Sequence, residues 1–120
     1  MAIYIKHPTR IKSTGNKIKI IDEYIGLVNS NNSDVSIARM QSPPGWEEPS
    51  QTPDFDEYTI VLKGSMHVRT DTDHFVINAG EAFIAKRGER IQYSTPDPDG
   101  AEYIAVCLPA FTPQTVNREH

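Results

Sequence analysis

The chain has 120 residues, a formal net charge of −4 and a hydrophobic fraction of 38%. This length and composition are typical of one globular domain. Acidic and basic residues are interspersed, so no concentrated positive field is available to neutralise phosphates, which argues against a nucleic-acid partner. We expect a single domain with an N-terminal arm over 1–16, a barrel over 17–110 and a C-terminal tail over 111–120.

The first residues lack the apolar stretch of a secretory signal, and no segment approaches the roughly 20 apolar residues that a membrane helix needs. We therefore expect a cytoplasmic protein without a membrane partner. Cys107 is the only cysteine, which excludes an intramolecular disulfide and a cysteine-based zinc cluster. It lies in the apolar run 103–108 and is predicted to be a core residue.

Apolar residues recur at period two or in short runs, and turn residues interrupt them at the spacing typical of all-β proteins. Nine short strands in so small a chain must close or pack as two layers, because a single layer cannot bury its apolar face. We predict a double-stranded β-helix, or jelly-roll, barrel. The predicted strands are Lys17–Ile21, Tyr24–Val28, Val35–Gln41, Tyr58–Lys63, Ser65–Thr70, His74–Ile77, Ala82–Ala85, Arg90–Ser94 and Glu102–Leu108.

Alternation along the strand near Glu57 sorts its side chains onto two faces. Both faces carry apolar residues, so one can line the barrel interior and the other needs cover from a second sheet or a second chain. This pattern favours a homodimer. The two sets are Glu57, Thr59 and Val61 on one face and Tyr58, Ile60 and Leu62 on the other.

The glycine spacing around Glu57 resembles the first motif of the cupin superfamily: Gly, five residues, His-x-His, three or four residues, Glu, six residues, Gly. Here Gly45 is followed at the same spacing by Gln51-Thr52-Pro53, Glu57 and Gly64. The second motif, Gly, five residues, Pro-x-Gly, two residues, His, three residues, Asn, corresponds to Gly80, Lys86-Arg87-Gly88, Ile91 and Thr95. The resemblance implies a cupin barrel.

The same alignment places Gln51, Pro53 and Ile91 at the three histidine positions, and only Glu57 keeps a ligand type. Imidazole supplies most of the affinity of such sites for transition metals, and Pro and Ile side chains cannot bind a metal. We therefore predict no conventional metal site and no cofactor. Recruitment of other residues remains an alternative, although none has the mutual spacing of a metal motif. The residues that could be recruited as metal ligands are His67, His74, Asp54, Asp56, Glu47 and Glu48.

The segment from Asp56 to Pro113 also resembles the cupin of ethanolamine-utilisation operons. That family also lacks the histidine set, although the chain departs from it at Ala85-Lys86, where Ile-Pro is expected. The resemblance implies acetate kinase activity. The chain carries no GxxxxGK[ST] loop to cradle phosphates, which weakens the assignment of that activity to this chain. The matching residues are Asp56-Glu57, Gly64, His67-Val68-Arg69, Ala79-Gly80, Gly88, Ile91 and Thr95-Pro96.

Glu57 is the leading site residue, because a carboxylate on an inward face must be hydrated, paired or protonated. Tyr93 shares the face of Ile91, and its hydroxyl could donate to a ligand or to Glu57. Gln51 and Thr59 complete a candidate polar ring, and Trp46 is a candidate lid. The structural alternatives are a Glu57 that holds the barrel mouth, a Tyr93 satisfied within the core and a Trp46 that covers a sheet edge.

Three functions are compatible with these residues. The leading hypothesis is a cupin that binds a small polar metabolite, without a conventional metal, in an otherwise dry pocket. The second is an enzyme, either metal-dependent through atypical ligands or using Glu57 and Tyr93 as catalytic acid and base for isomerase or lyase chemistry. The third is an assembly protein whose barrel interior is filled by side chains.

Overall fold

The computed structural model describes residues 1–119 and is all-β, as predicted. Within these residues no helix is long and apolar enough to cross a membrane. The nine strands are β1 Thr9–Ile11, β2 Ile20–Ile25, β3 Ser36–Ser42, β4 Trp46–Glu47, β5 Asp56–Arg69, β6 His74–Asn78, β7 Ala82–Ala85, β8 Gln92–Thr95 and β9 Ala101–Leu108.

The strand β5 joins the two halves of a curled, antiparallel sheet. It is 14 residues long. Its first half pairs with β7 and β9, and its second half pairs with β6 and β8. The main strand order is β1-β2-β3-β9-β5-β8-β4. Side chains on the concave side of both halves therefore converge on one interior.

Two pairs of predicted strands are single strands in the structure, and the first is β2. The sequence predicts Lys17–Ile21 and Tyr24–Val28 as separate strands, with Asp22 and Glu23 between them. The structure pairs the Asp22 carboxylate with the guanidinium of Arg10 on β1 at 3.0 Å. The Glu23 carboxylate accepts hydrogen bonds from the backbone N–H groups of residues 28 and 29 at 3.0 and 2.9 Å. Both acids thus lie in one continuous strand, and their partners lie outside it.

The second merged pair is β5, which replaces the predicted Tyr58–Lys63 and Ser65–Thr70. Gly64, expected to separate them, has a φ of 70° and lies inside the strand. The register with β9 shifts between Val61 and Lys63. A residue at positive φ beside an irregularity bends a strand without ending it. The glycine therefore turns β5 from one sheet into the other.

Buried and partly exposed side chains alternate along the strands that form the core. On β9, Tyr103, Ala105 and Cys107 are buried while their neighbours in sequence are partly exposed. Cys107 packs with Phe55 and Val116 in a small second cluster. The main cluster consists of Trp46, Val61, Met66, Val68, Ile77, Ala85, Ile91, Tyr93, Ala101 and Tyr103.

Both terminal segments contact the barrel. Within the expected N-terminal arm, Thr9–Ile11 forms β1 and pairs with β2. In the C-terminal segment, the backbone N–H of Glu119 donates to the carbonyl of Ser50 at 2.8 Å, and the carbonyl of Thr115 accepts from Asp54 at 2.9 Å. The expected tail is therefore draped over the barrel across residues 111–119. His120 lies outside the described residues.

We expect Gly64→Ala to lower the free energy of unfolding by about 3 kcal/mol or more, because it adds a steric clash to the strain of a positive φ. A Cβ at Gly64 would overlap the carbonyl oxygen of Gly100. Gly80→Ala is the matched control, since Gly80 has a φ of 86° and no atom within 4 Å of an added Cβ. It should lose only about 1 kcal/mol. Urea unfolding measures both, and equal losses would contradict the role given to the Gly64–Gly100 contact.

Candidate functional site

The barrel contains a cavity of about 360 Å³ that is partly open to solvent. Its volume lies within the range typical of small-molecule sites. Apolar side chains from several strands and from the C-terminal segment form much of the wall, among them Met40, Met66, Ala105 and Phe111. Because packed strands form much of its boundary, a polar group on its wall has few protein groups within hydrogen-bond distance.

Four of the five predicted site residues line this cavity. Gln51, Glu57, Thr59 and Tyr93 all lie on its wall. Alternation on β5 places Glu57 and Thr59 on the concave side, as the strand parity predicts. Gln51 joins them because its backbone forms a two-way bridge with Ile91, with both N–H···O distances at 2.8 Å.

Trp46, the candidate lid, does not line the cavity. Its side chain is fully buried in the main core cluster. The indole N–H donates to the carbonyl oxygen of Thr14 at 3.1 Å. This bond ties the chain between β1 and β2 to the barrel, so Trp46 supports the cavity from behind.

Glu57 and Tyr93 form the centre of the site. The Tyr93 hydroxyl donates to Oε1 of Glu57 at 2.9 Å. Burial raises the pKa of Glu57 to about 7, although the Tyr93 hydrogen bond and the charge of Lys19 oppose the rise. Burial, with the adjacent Glu57, raises the pKa of Tyr93 well above its ordinary value. At neutral pH the pair therefore consists of a neutral phenol and a carboxyl group close to its titration midpoint.

Lys19 is a cavity residue that the sequence reasoning missed. It is 9% exposed. Its Nζ donates to the Tyr103 hydroxyl at 3.2 Å and lies 4.1 Å from the ring centroid of Trp46. Burial favours the neutral amine, but Tyr103 and the Glu48 carboxylate outweigh that effect and raise the pKa of Lys19. The cavity wall therefore carries a buried ammonium group.

Glu48 and Arg118 also line the cavity and were not predicted as binding residues. Glu48 is only 4% exposed, and burial raises the pKa of its carboxyl. Arg118 reaches the cavity because its backbone bridges to Gln51. Strand parity offers a signal for Glu48, two residues after the buried Trp46, whereas Arg118 depends on how the C-terminal segment folds back.

The residues at the cupin histidine positions do not fit a transition metal. Ile91 is a core residue at 2% exposure, and the carbonyl of Pro53 accepts the N–H of Gly88. Within residues 1–119, no three His, Cys, Asp or Glu side chains are grouped to hold a metal ion. The ammonium of Lys19 faces the same cavity and would repel a cation. The cavity wall therefore does not fit a transition metal.

Comparison with known proteins identifies two curated relatives. An endoribonuclease YbeY of Myxococcus xanthus is 39% identical over 101 residues, which cover 84% of this chain and 34% of that protein. An acetate kinase EutQ of Salmonella typhimurium is 32% identical over 54 residues, which cover 45% of this chain and 24% of that protein. The chain thus spans about a third or less of either relative.

Solved structures share the fold. The EutQ protein of Clostridium difficile has a TM-score of 0.66 at 23% identity, covering 81% of this chain and 72% of its own. An RmlC-like cupin of Shewanella frigidimarina has a TM-score of 0.70 at 17% identity, covering 86% and 85%. The fold is the predicted cupin double-stranded β-helix.

The family comparison agrees with the resemblance found in the sequence. The family model described as ethanolamine utilisation protein EutQ matches residues 46–112, which is more than half of the chain. The match includes Gln51, Glu57, Thr59 and Tyr93 on the cavity wall, whereas Lys19 and Arg118 lie outside it. This chain belongs to the EutQ family of cupin-fold proteins.

Proposed function

We propose that this protein binds a small polar organic molecule in the barrel cavity around Glu57, without a conventional metal. The observation that carries the proposal is the convergence of Gln51, Glu57, Thr59 and Tyr93 on one cavity of about 360 Å³. An apolar wall with a few converging polar groups is the usual design of a small-molecule site. The alternative of an assembly protein predicts a filled interior, and the cavity favours the binding proposal over it.

An acid–base reaction is the second candidate function. It is supported by the 2.9 Å bond between Glu57 and Tyr93 and by the Glu57 pKa of about 7. A carboxyl group that titrates near neutral pH can both accept and return a proton. In this version Glu57 acts as the catalytic base and Tyr93 orients it, and turnover of a bound substrate would be lost in Glu57→Gln.

The activities in the names of the two curated relatives are not part of this proposal. Each match covers at most 34% of the relative, so most of either protein has no counterpart in the aligned region. The cytoplasmic location, the lack of a nucleic-acid or membrane partner and the lack of a cofactor remain predictions from the sequence.

We further propose that the chain acts as a homodimer. The convex face of β5 and its neighbours exposes Ile60, Leu62 and Ile84 at 53%, 45% and 57%. The pairing of Tyr58 with Ile84 across β5 and β7, and with Val106 across β5 and β9, makes this face continuous over three strands. A continuous apolar sheet face needs cover, which a second copy of the chain supplies.

A screen of small polar fragments tests the binding proposal. In ¹H–¹⁵N NMR spectra of this 13.5 kDa chain, we expect such fragments to shift the amide signals of Gln51, Glu57, Thr59 and Tyr93. Thr59→Phe should abolish these shifts by filling the cavity, while Thr72→Phe in an exposed turn should keep them. Retained dispersion of the spectrum shows that each variant is folded. Shifts confined to surface residues would refute the proposal.

Glu57 should make stability depend on pH. Its folded pKa of about 7 is raised above the ordinary 4.5. Its contribution is therefore complete below about pH 4.5 and is lost as the pH rises through about 7. The wild type should lose stability between pH 5 and pH 8, and Glu57→Gln should lose about 2 kcal/mol less over the same range. Urea unfolding at both pH values measures this, with Glu47→Gln as the exposed control; an unchanged pH slope in Glu57→Gln would contradict the pKa assignment.

The dimer proposal is tested by light scattering at tens of micromolar protein. We expect a dimer for the wild type and a monomer for Ile60→Lys combined with Ile84→Lys, because two charges would then need to be desolvated at the interface. Val28→Lys, also at an exposed apolar position, should leave the dimer intact. A wild-type chain that is monomeric under these conditions would rule the dimer out.

A further inference from the structure

Two cationic groups on the cavity wall have no anionic partner of their own. Lys19 forms no ion pair within residues 1–119; its Nζ contacts are the Tyr103 hydroxyl, the Trp46 ring and the Met40 sulfur at 3.6 Å. Glu48 and Glu57 act on this ammonium only from beyond salt-bridge distance, so an anion in direct contact with Nζ would stabilise it further. The third donor position of Nζ is thus available to a molecule in the cavity.

Arg118 supplies the second donor. Its Nε–H is buried and has no hydrogen-bond partner in the described part of the chain. Its guanidinium faces the Phe111 ring, with Cζ 5.7 Å from the ring centroid, and both side chains lie on the cavity wall. A buried guanidinium donor without an acceptor is rare, since folded proteins satisfy nearly all such groups. The Nε–H of Arg118 therefore lacks an acceptor, and Lys19 has one donor position left for an acceptor in the cavity.

Gln51 poses the complementary requirement. Its side chain is 3% exposed, and its Oε1 is buried without a donor among residues 1–119. Lys19 and Arg118 are donors, so a molecule that only accepts hydrogen bonds would leave this amide oxygen unsatisfied. A molecule that matches the cavity must carry an anionic oxygen and, separately, a hydrogen-bond donor.

The negative groups restrict the charge of that molecule. Glu57 and Glu48 share the wall with Lys19 and Arg118, and Lys19 attracts both carboxylates. Because these acids already offset part of the charge of the two cations, a monoanion matches the remaining positive charge. A dianion such as phosphate would meet like charges on the same wall, so a carboxylate is the better match.

We propose that the cavity takes a small hydroxylated monocarboxylate, with the carboxylate held by Lys19 and Arg118 and the hydroxyl donating to Oε1 of Gln51. This inference rests on the proposed binding function and specifies its ligand class. Loss of either group of the ligand leaves one set of buried polar atoms unsatisfied, so both groups contribute to affinity.

Isothermal titration calorimetry with four matched probes tests the ligand class. Lactate carries both groups, propionate lacks the hydroxyl, 1,2-propanediol lacks the carboxylate, and inorganic phosphate is a second anion. We expect lactate to bind about 10-fold more tightly than propionate, which is the effect of one buried hydrogen bond, and the diol and phosphate to bind more weakly still.

Two variants assign the contacts. Gln51→Leu should make lactate and propionate bind with equal affinity. Lys19→Met should lower the affinity for both acids at least 10-fold. Lys17→Met is the matched control, because Lys17 bonds the carbonyl of Pro44 at an exposed position and does not line the cavity. Its affinity for lactate should be unchanged. NMR spectra establish that each variant is folded. If Lys19→Met does not fold, Gln51→Leu still tests the proposed hydrogen bond between the ligand hydroxyl and Gln51.

Three outcomes would overturn the inference: tighter binding of the diol, tighter binding of phosphate, or no binding of either acid. The fragment screen then separates this failure from that of the proposed function. If other fragments still shift the cavity amides, only the ligand class is wrong. If none does, the binding function itself fails.

Discussion

The close approach of β5 to the loop before β9 is the constraint on which the barrel depends. Gly64 lies against the backbone of Gly100, and the Ser65 N–H donates to the Gly100 carbonyl at 3.1 Å. This contact lets one continuous strand leave one sheet and enter the other. The first half of β5 carries Glu57, and the second half pairs with β8, which carries Tyr93. The bond between those two side chains thus spans both halves of the barrel and depends on the bend.

The electrostatics of the cavity differ from those of a cupin metal centre. A metal site gathers neutral or negative donors around a cation. Here the positive charge belongs to the protein itself, as the ammonium of Lys19, held among Trp46, Tyr103 and Met40. Its attraction lowers the pKa of Glu57 while burial raises it. A fixed cation beside a titratable acid supports the proposed recognition of an organic anion, which needs no metal ligand at Pro53 or Ile91.

The central strands and their parity could be predicted from the sequence, because alternation on β5 and β9 reflects local geometry. That reasoning placed Glu57 and Thr59 inward and placed Tyr93 beside them. It also predicts two strands where β2 is one, and Asp22 and Glu23 lie between the two predicted segments. Their partners, Arg10 and the backbone of residues 28 and 29, are contacts that no periodicity encodes.

Lys19 shows why the rest of the site was missed. Binary patterning would turn Ile18 inward and Lys19 outward, yet Ile18 is 88% exposed and Lys19 is buried. The reversal follows from the path of the chain before β2, where the Lys19 N–H donates to Ser13 Oγ. Such a violation of pattern leaves an ionised group in the interior, which a protein tolerates mainly where the group has a role. Arg118, near the opposite end of the chain, also lines the cavity, and its buried Nε has no hydrogen-bond partner among residues 1–119. The two cationic residues of the cavity wall therefore come from parts of the chain whose side-chain orientation sequence periodicity does not predict.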